Sequence, residues 1–113
     1  MDKYTVKARL RLFRSEEPSY GPGVARLMEL VMENGSMAEA CRIMNMSYSK
    51  GWRIVRRAEN DLGIKLLVGA KGGRNGGSMM VTEEGEDLLR KYRMLEAELN
   101  EELGRLYSKY FEQ

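Results

Sequence analysis

A mainly α fold with a small β-component is predicted by three observations. Apolar residues recur at three- and four-residue steps over most of residues 22–111. Each such stretch is punctuated by a capping residue at its start or a glycine at its end. Strict alternation, the mark of a strand, is confined to short runs at the N-terminus and on either side of a glycine-rich loop.

The elements follow in order. Residues 4–13, YTVKARLRLF, place Val6, Ala8, Leu10 and Leu12 on one side and Lys7, Arg9 and Arg11 on the other, which predicts a half-buried N-terminal strand. Residues 15–23, SEEPSYGPG, combine acidic residues with two prolines and two glycines, which is turn chemistry. From Pro22 the period lengthens, and Val24, Leu27, Met28 and Val31 form one face of a helix that Asn34-Gly35 ends. Ser36 and Glu39 have the spacing of a reciprocal capping box and open a short helix with Met37, Ala40, Cys41 and Met44 on its inner side. Asn45-Met46 breaks it, Ser47 caps the next helix, and Gly63 closes that one after Leu62. Two short strands are expected near Lys65–Val68 and Ser78–Val81, joined by GAKGGRNGG with five glycines in nine residues. Thr82 caps a last helix reaching to about Phe111. A short helix, a tight turn, a second helix and a β-hairpin in that order predict a winged helix-turn-helix, preceded by a strand and followed by a long helix. The expected division is a DNA-binding unit over residues 1–82 and a long C-terminal helix over 83–113.

Composition narrows the function. With 113 residues there is room for one core, and no apolar run approaches a membrane span or a secretory signal. One cysteine and no histidine remove the usual zinc ligands and imidazole bases, and no nucleophile–base pair or carboxylate pair suggests an enzyme. The lone Cys41 also fits a reducing, cytoplasmic setting, and its inner position predicts an inert core thiol. No cofactor is expected. Net charge is +2, but residues 41–74 hold eight basic and two acidic side chains, whereas residues 83–113 hold five basic and nine acidic. A basic middle and an acidic tail suit a nucleic-acid reader with a separate partner-binding segment.

The functional weight falls on residues 36–62. At about 100° per residue, Gly51, Val55, Ala58 and Leu62 share one side of the second helix, with Tyr48 and Trp52 at its border. Ser49, Arg53, Arg56 and Asn60 face the other way, flanked by Lys50 and Arg57. Such a helix fits a major groove, where Ser49, Lys50 and Arg53 reach base edges while Arg56 and Arg57 meet phosphates. Ser36 and Met37 open the preceding helix, whose N-terminus lies against the backbone in this geometry. The glycine-rich loop has no nucleotide-binding signature and reads instead as a wing tip, with Lys71, Arg74 and Asn75 available to the backbone or minor groove. Trp52 reads as a core anchor. Leu88, Tyr92, Leu95, Leu99, Leu103, Leu106 and Tyr110 form a stripe too long for the domain to cover, which predicts a homodimer interface. The rival reading is a winged-helix interaction module that does not read DNA.

Several segments occur in the order and wording of one family. They are GPG at 21–23, ENGSMAEA at 33–40, MSYSKGW at 46–52, LGIKLLV at 62–68, GGRNGG at 72–77 and VTEEGEDLL at 81–89. Over residues 21–95 the sequence resembles the N-terminal DNA-binding domain of ModE-type molybdate-responsive regulators, within the broader LysR-type winged-helix group. The resemblance implies a dimer on palindromic operator DNA, contacts from the helix carrying Ser47, Tyr48, Lys50 and Arg53, and wing contacts near Arg74. In that family molybdate is sensed by a C-terminal oxyanion-binding domain, which these residues do not contain, so molybdate sensing is not implied here.

Overall fold

The computed structural model describes residues 4–70 and 78–112. Four helices and two small antiparallel strand pairs build a winged helix-turn-helix, in the order β1 (Leu12–Phe13), β2 (Pro18–Tyr20), α1 (Pro22–Asn34), α2 (Met37–Ile43), α3 (Tyr48–Leu62), β3 (Leu67–Gly69), β4 (Met79–Val81) and α4 (Glu83–Phe111).

The helix boundaries follow local chemistry. Pro22 occupies the first turn of α1, and Gly35 closes it in a left-handed conformation (φ 66°), its amide donating to the Val31 carbonyl. The Ser36, Ser47 and Thr82 hydroxyls accept from the amides of Glu39, Lys50 and Gly85 at the starts of α2, α3 and α4. The reciprocal half of the capping box at Ser36 is absent, because the Glu39 carboxylate turns to the Arg42 guanidinium, 3.0 Å from its Nε. Asn45 (φ 57°) makes the left-handed corner between α2 and α3, and Gly63 (φ 70°) ends α3.

The N-terminus departs from expectation. Only Leu12 and Phe13 of the predicted 4–13 strand join a sheet, and their partner β2 lies within the stretch read as turn. Residues 4–11 find their partner in α4 instead. The Tyr92 hydroxyl donates to the Leu10 carbonyl at 2.7 Å, and the Tyr4 ring meets Phe111 edge-on at 6.0 Å. Alternation survives over residues 7–12, where Ala8, Leu10 and Leu12 are half-buried and Lys7, Arg9 and Arg11 exposed, but Val6, expected on the inner side, is exposed. Pro18 tolerates β2 because it opens a two-stranded edge.

The core joins Val24, Leu27, Met28, Leu30 and Val31 of α1 to Met37, Ala40 and Cys41 of α2, Val55 and Ala58 of α3, and Leu66, Val81, Leu89 and Tyr92. Helices α2 and α3 cross closely at Gly51, where a Cβ would stand 2.3 Å from the Cys41 sulfur. Arg93 of α4 forks onto Glu29 of α1 at 2.8 and 2.9 Å and also reaches Glu96. That hydrogen bond holds the Glu29 carboxyl below its ordinary range and raises the Arg93 guanidinium. Strand β3 starts two residues later than expected and pairs Leu67 with Val81, Val68 with Met80 and Gly69 with Met79.

Candidate nucleic-acid interface

The amphipathic pattern of α3 positions the interface. Gly51, Val55 and Ala58 are buried against α1 and α2, which turns Ser49, Lys50, Arg53, Arg56 and Asn60 outward. Its acidic residues, Glu59 and Asp61, come only in the last turns. Among the described residues, Lys50 and Arg53 carry no ion pair. Ser47 is exposed, with its hydroxyl engaged as the cap.

Trp52 packs against the core as the sequence suggests, but from its edge. It is half-buried at the edge of α3, with the Arg56 guanidinium 5.0 Å above its ring and Tyr48 edge-on at 6.3 Å. Tyr48 and Arg56 each lie four residues from Trp52, so one turn of helix stacks the three on one surface. That spacing is the signal a reading of the sequence missed.

Arg57 also departs from expectation. It pairs with Glu17 of the β1–β2 turn at 2.8 Å and with Asp61 at 3.8 Å, so it is a docking residue for the hairpin more than an available cation. Asp61 in turn accepts from the buried Ser19 hydroxyl at 2.8 Å. On the opposite flank, the Glu59 carboxylate accepts from the amides of Leu66 (2.9 Å) and Leu67 (3.3 Å), which ties the root of the β3–β4 hairpin to α3.

At the start of α2 the Met37 side chain is wholly buried and offers nothing to a ligand. Ser36 is half-buried, spends its hydroxyl on the Glu39 amide and bridges to Ser78. Lys71, Arg74 and Asn75 lie outside the described residues.

The α4 stripe divides in two. Tyr92 belongs to the domain's own core and Leu88 packs at its edge, which removes Tyr92 from any interface. Beyond Tyr92 no residue of α4 is buried, and Leu95, Leu106 and Tyr110 are exposed while Leu99 and Leu103 are half-buried. Burial raises the Cys41 thiol above its ordinary value, where thiolate chemistry is suppressed. No helix among the described residues is long and apolar enough to cross a membrane.

Comparison with known proteins gives a consistent picture. Residues 24–86 match the family described as bacterial regulatory helix-turn-helix protein, lysR family. The chain is 35% identical over 104 residues to the molybdenum-pterin-binding protein MopA of Rhodobacter capsulatus, a match covering 92% of this chain and 39% of that protein. It is 33% identical over 81 residues to the molybdenum transport protein ModE of Azotobacter vinelandii, covering 72% of this chain and 30% of that protein. A second Rhodobacter capsulatus protein, molybdenum-pterin-binding protein MopB, is 32% identical over 71 residues, 63% of this chain and 26% of that protein. The chain thus spans well under half the length of the curated relatives it matches.

Proposed function

The chain belongs to the lysR family of bacterial regulatory helix-turn-helix proteins, a family of DNA-binding regulators and not of enzymes, and from that premise we propose that it reads operator DNA as a homodimer in the cytoplasm. Helix α3 lies in the major groove. Ser49, Lys50 and Arg53 meet base edges, and Tyr48 and Arg56 contact the backbone beside them. The segment between β3 and β4 serves as the wing, with Lys71, Arg74 and Asn75 on the backbone or minor groove. The observation that carries this reading is the outer side of α3, where Lys50, Arg53 and Arg56 are exposed and the first acidic residue is Glu59.

Residues 1–82 form the reading unit in this proposal, and 83–113 the dimerisation element. Helix α4 has 29 residues and would run about 43 Å at 1.5 Å per residue, yet its last buried residue is Tyr92. A second copy covering Leu95, Leu99, Leu103, Leu106 and Tyr110 would bury that stripe and pair two α3 helices for a palindromic operator. Molybdenum and pterin appear in the names of the relatives, but nothing in these residues assigns either to this chain.

The test is selection of bound duplexes followed by anisotropy titration of the selected duplex against a scrambled one. Lys50→Ala and Arg53→Ala should each cost about 1–3 kcal/mol on the selected duplex and much less on the scrambled one. Sedimentation should show a dimer. Indifference to both substitutions would favour a winged-helix protein-interaction module.

A further inference from the structure

On the flank of α3 opposite Glu59 lies a groove that the proposed contacts leave unused. Arg9 and Arg11 of the N-terminal segment line it together with Tyr20, Gly21 and, from α3, Ile54 and Arg57. The Arg11 side chain passes across Gly21, so closely that a Cβ there would stand 3.2 Å from its Cγ. Both arginines are exposed, and among the described residues neither has an ion-pair partner. Arg57 is already matched by Glu17 and Asp61, so the uncompensated charge of the groove is that of Arg9 and Arg11.

The groove is continuous with the DNA-reading side of α3. At about 100° per residue, Arg57 sits about 40° around the helix from Arg53, and Ile54 about 60° further in the same direction. Arg57 borders both the outer side of α3, beside Arg53 and Arg56, and the groove that holds Arg9 and Arg11. A helix lying in a major groove has a sugar-phosphate strand along each flank. Glu59 ties one flank of α3 to the β3–β4 hairpin, and the opposite flank meets Arg9 and Arg11.

We propose that Arg9 and Arg11 form a second phosphate-binding site, which grips the DNA backbone on the side of the recognition helix away from the wing. The inference rests on the reading of α3 as the DNA-binding helix. Unlike the contacts of Lys50 and Arg53, it adds affinity without sequence preference, because a phosphate carries no base identity. The arginines reach this place through the N-terminal segment's attachment to α4, with Leu10 between them held at its carbonyl by Tyr92.

The experiment is a salt titration of the whole chain against a 40-base-pair mixed-sequence duplex, with the double variant Arg9→Ala/Arg11→Ala and the charge-preserving Arg9→Lys/Arg11→Lys beside it. Each phosphate contact contributes about 0.9 to the slope of log affinity against log salt, so two arginines in each protomer of the proposed dimer contribute about 3.6. Between 50 and 200 mM salt the unmodified chain should therefore lose about 150-fold more affinity than the alanine variant. The lysine variant should keep most of the slope. Circular dichroism and sedimentation confirm that each variant is folded and assembled like the parent. An unchanged slope in a folded alanine variant overturns the proposal while leaving the reading of α3 intact. A parent chain that binds no duplex at low salt overturns both.

Discussion

Replacing Gly51 by alanine tests whether the reading helix is seated by direct contact with α2. A Cβ at this position would stand 2.3 Å from the Cys41 sulfur and 3.0 Å from the Met37 methyl. Non-bonded heavy atoms prefer about 3.5–4.0 Å, so the sulfur is more than 1 Å too near. The Met37 methyl ends a flexible chain and can swing aside, but the Cys41 sulfur is one bond from its Cβ and buried on α2, so the helices must part. Overpacking of this kind costs about 1–3 kcal/mol, and the better helix propensity of alanine returns up to about 1 kcal/mol. The expected net loss is about 1 kcal/mol, or about 4 °C in Tm at about 4 °C per kcal/mol for a domain of this size. A double-mutant cycle isolates the cause. In a Cys41→Ala background the offending sulfur is gone, so adding Gly51→Ala should be neutral or slightly stabilising, giving a coupling of about 1–2 kcal/mol. Urea unfolding of the four proteins at one fixed concentration measures it. A Gly51→Ala protein as stable as its parent, or a loss of the same size in both backgrounds, would refute the close-crossing argument.

Two further outcomes follow from single contacts. Glu59→Ala removes the acceptor for the Leu66 and Leu67 amides, and Leu66 is wholly buried. We expect a loss of about 2 kcal/mol from the stranded donors, with hydrogen exchange accelerated at these two amides before those of α1; unchanged exchange there would show that Glu59 does not anchor the hairpin. The Arg93–Glu29 pair predicts a pH dependence. Its hydrogen bond lowers the Glu29 carboxyl in the folded state, so its contribution is present above the unfolded carboxyl value of about 4.3 and is lost as pH falls through the lower folded one. Stability of the parent should therefore fall more steeply below about pH 4.3 than that of Arg93→Met, and parallel acid-unfolding curves would contradict this.

The caps and left-handed corners were legible because their chemistry is local. Ser36, Ser47 and Thr82 each bond an amide three residues on, and Gly35 and Gly63 need only their own backbone freedom. The amphipathic side of α3 was legible for the same reason. What the sequence hid depends on distant partners. The alternation holds from Lys7 to Leu12 but not at Val6, and Leu10 is tied to α4 by a Tyr92 bond that spans 82 positions, while no strand among the described residues lies beside residues 4–11 to make a sheet. Arg57 looked like a solvated cation because Glu17 is forty residues earlier in the chain. Tyr92 looked like part of a continuous stripe because its periodicity is the same whether its own core or a second copy receives it; the ring that claims it is Tyr20, 5.1 Å away. Trp52 packs on the core from its border position, and what that position left open is the Arg56 guanidinium over its ring.

Three contacts between elements share one target. Helix α3 is held beneath by the Gly51 crossing with α2, on one flank by Glu59 bonding the β3–β4 root, and on the other by Asp61 accepting from Ser19 of β2. The side chains proposed to meet base edges, Ser49, Lys50 and Arg53, take no part in these attachments. The division has an energetic consequence. A base contact worth about 1–3 kcal/mol is easily offset by ordering a loose backbone at about 1–2 kcal/mol per residue. Because the scaffold fixes α3 with residues other than its readers, that backbone cost is met on folding, and only the rotamers of the readers remain to be ordered on DNA. Substitutions at Glu59, Asp61 or Gly51 should thus weaken specific binding although none of the three faces the duplex, whereas substitutions at Lys50 or Arg53 should weaken it without lowering stability.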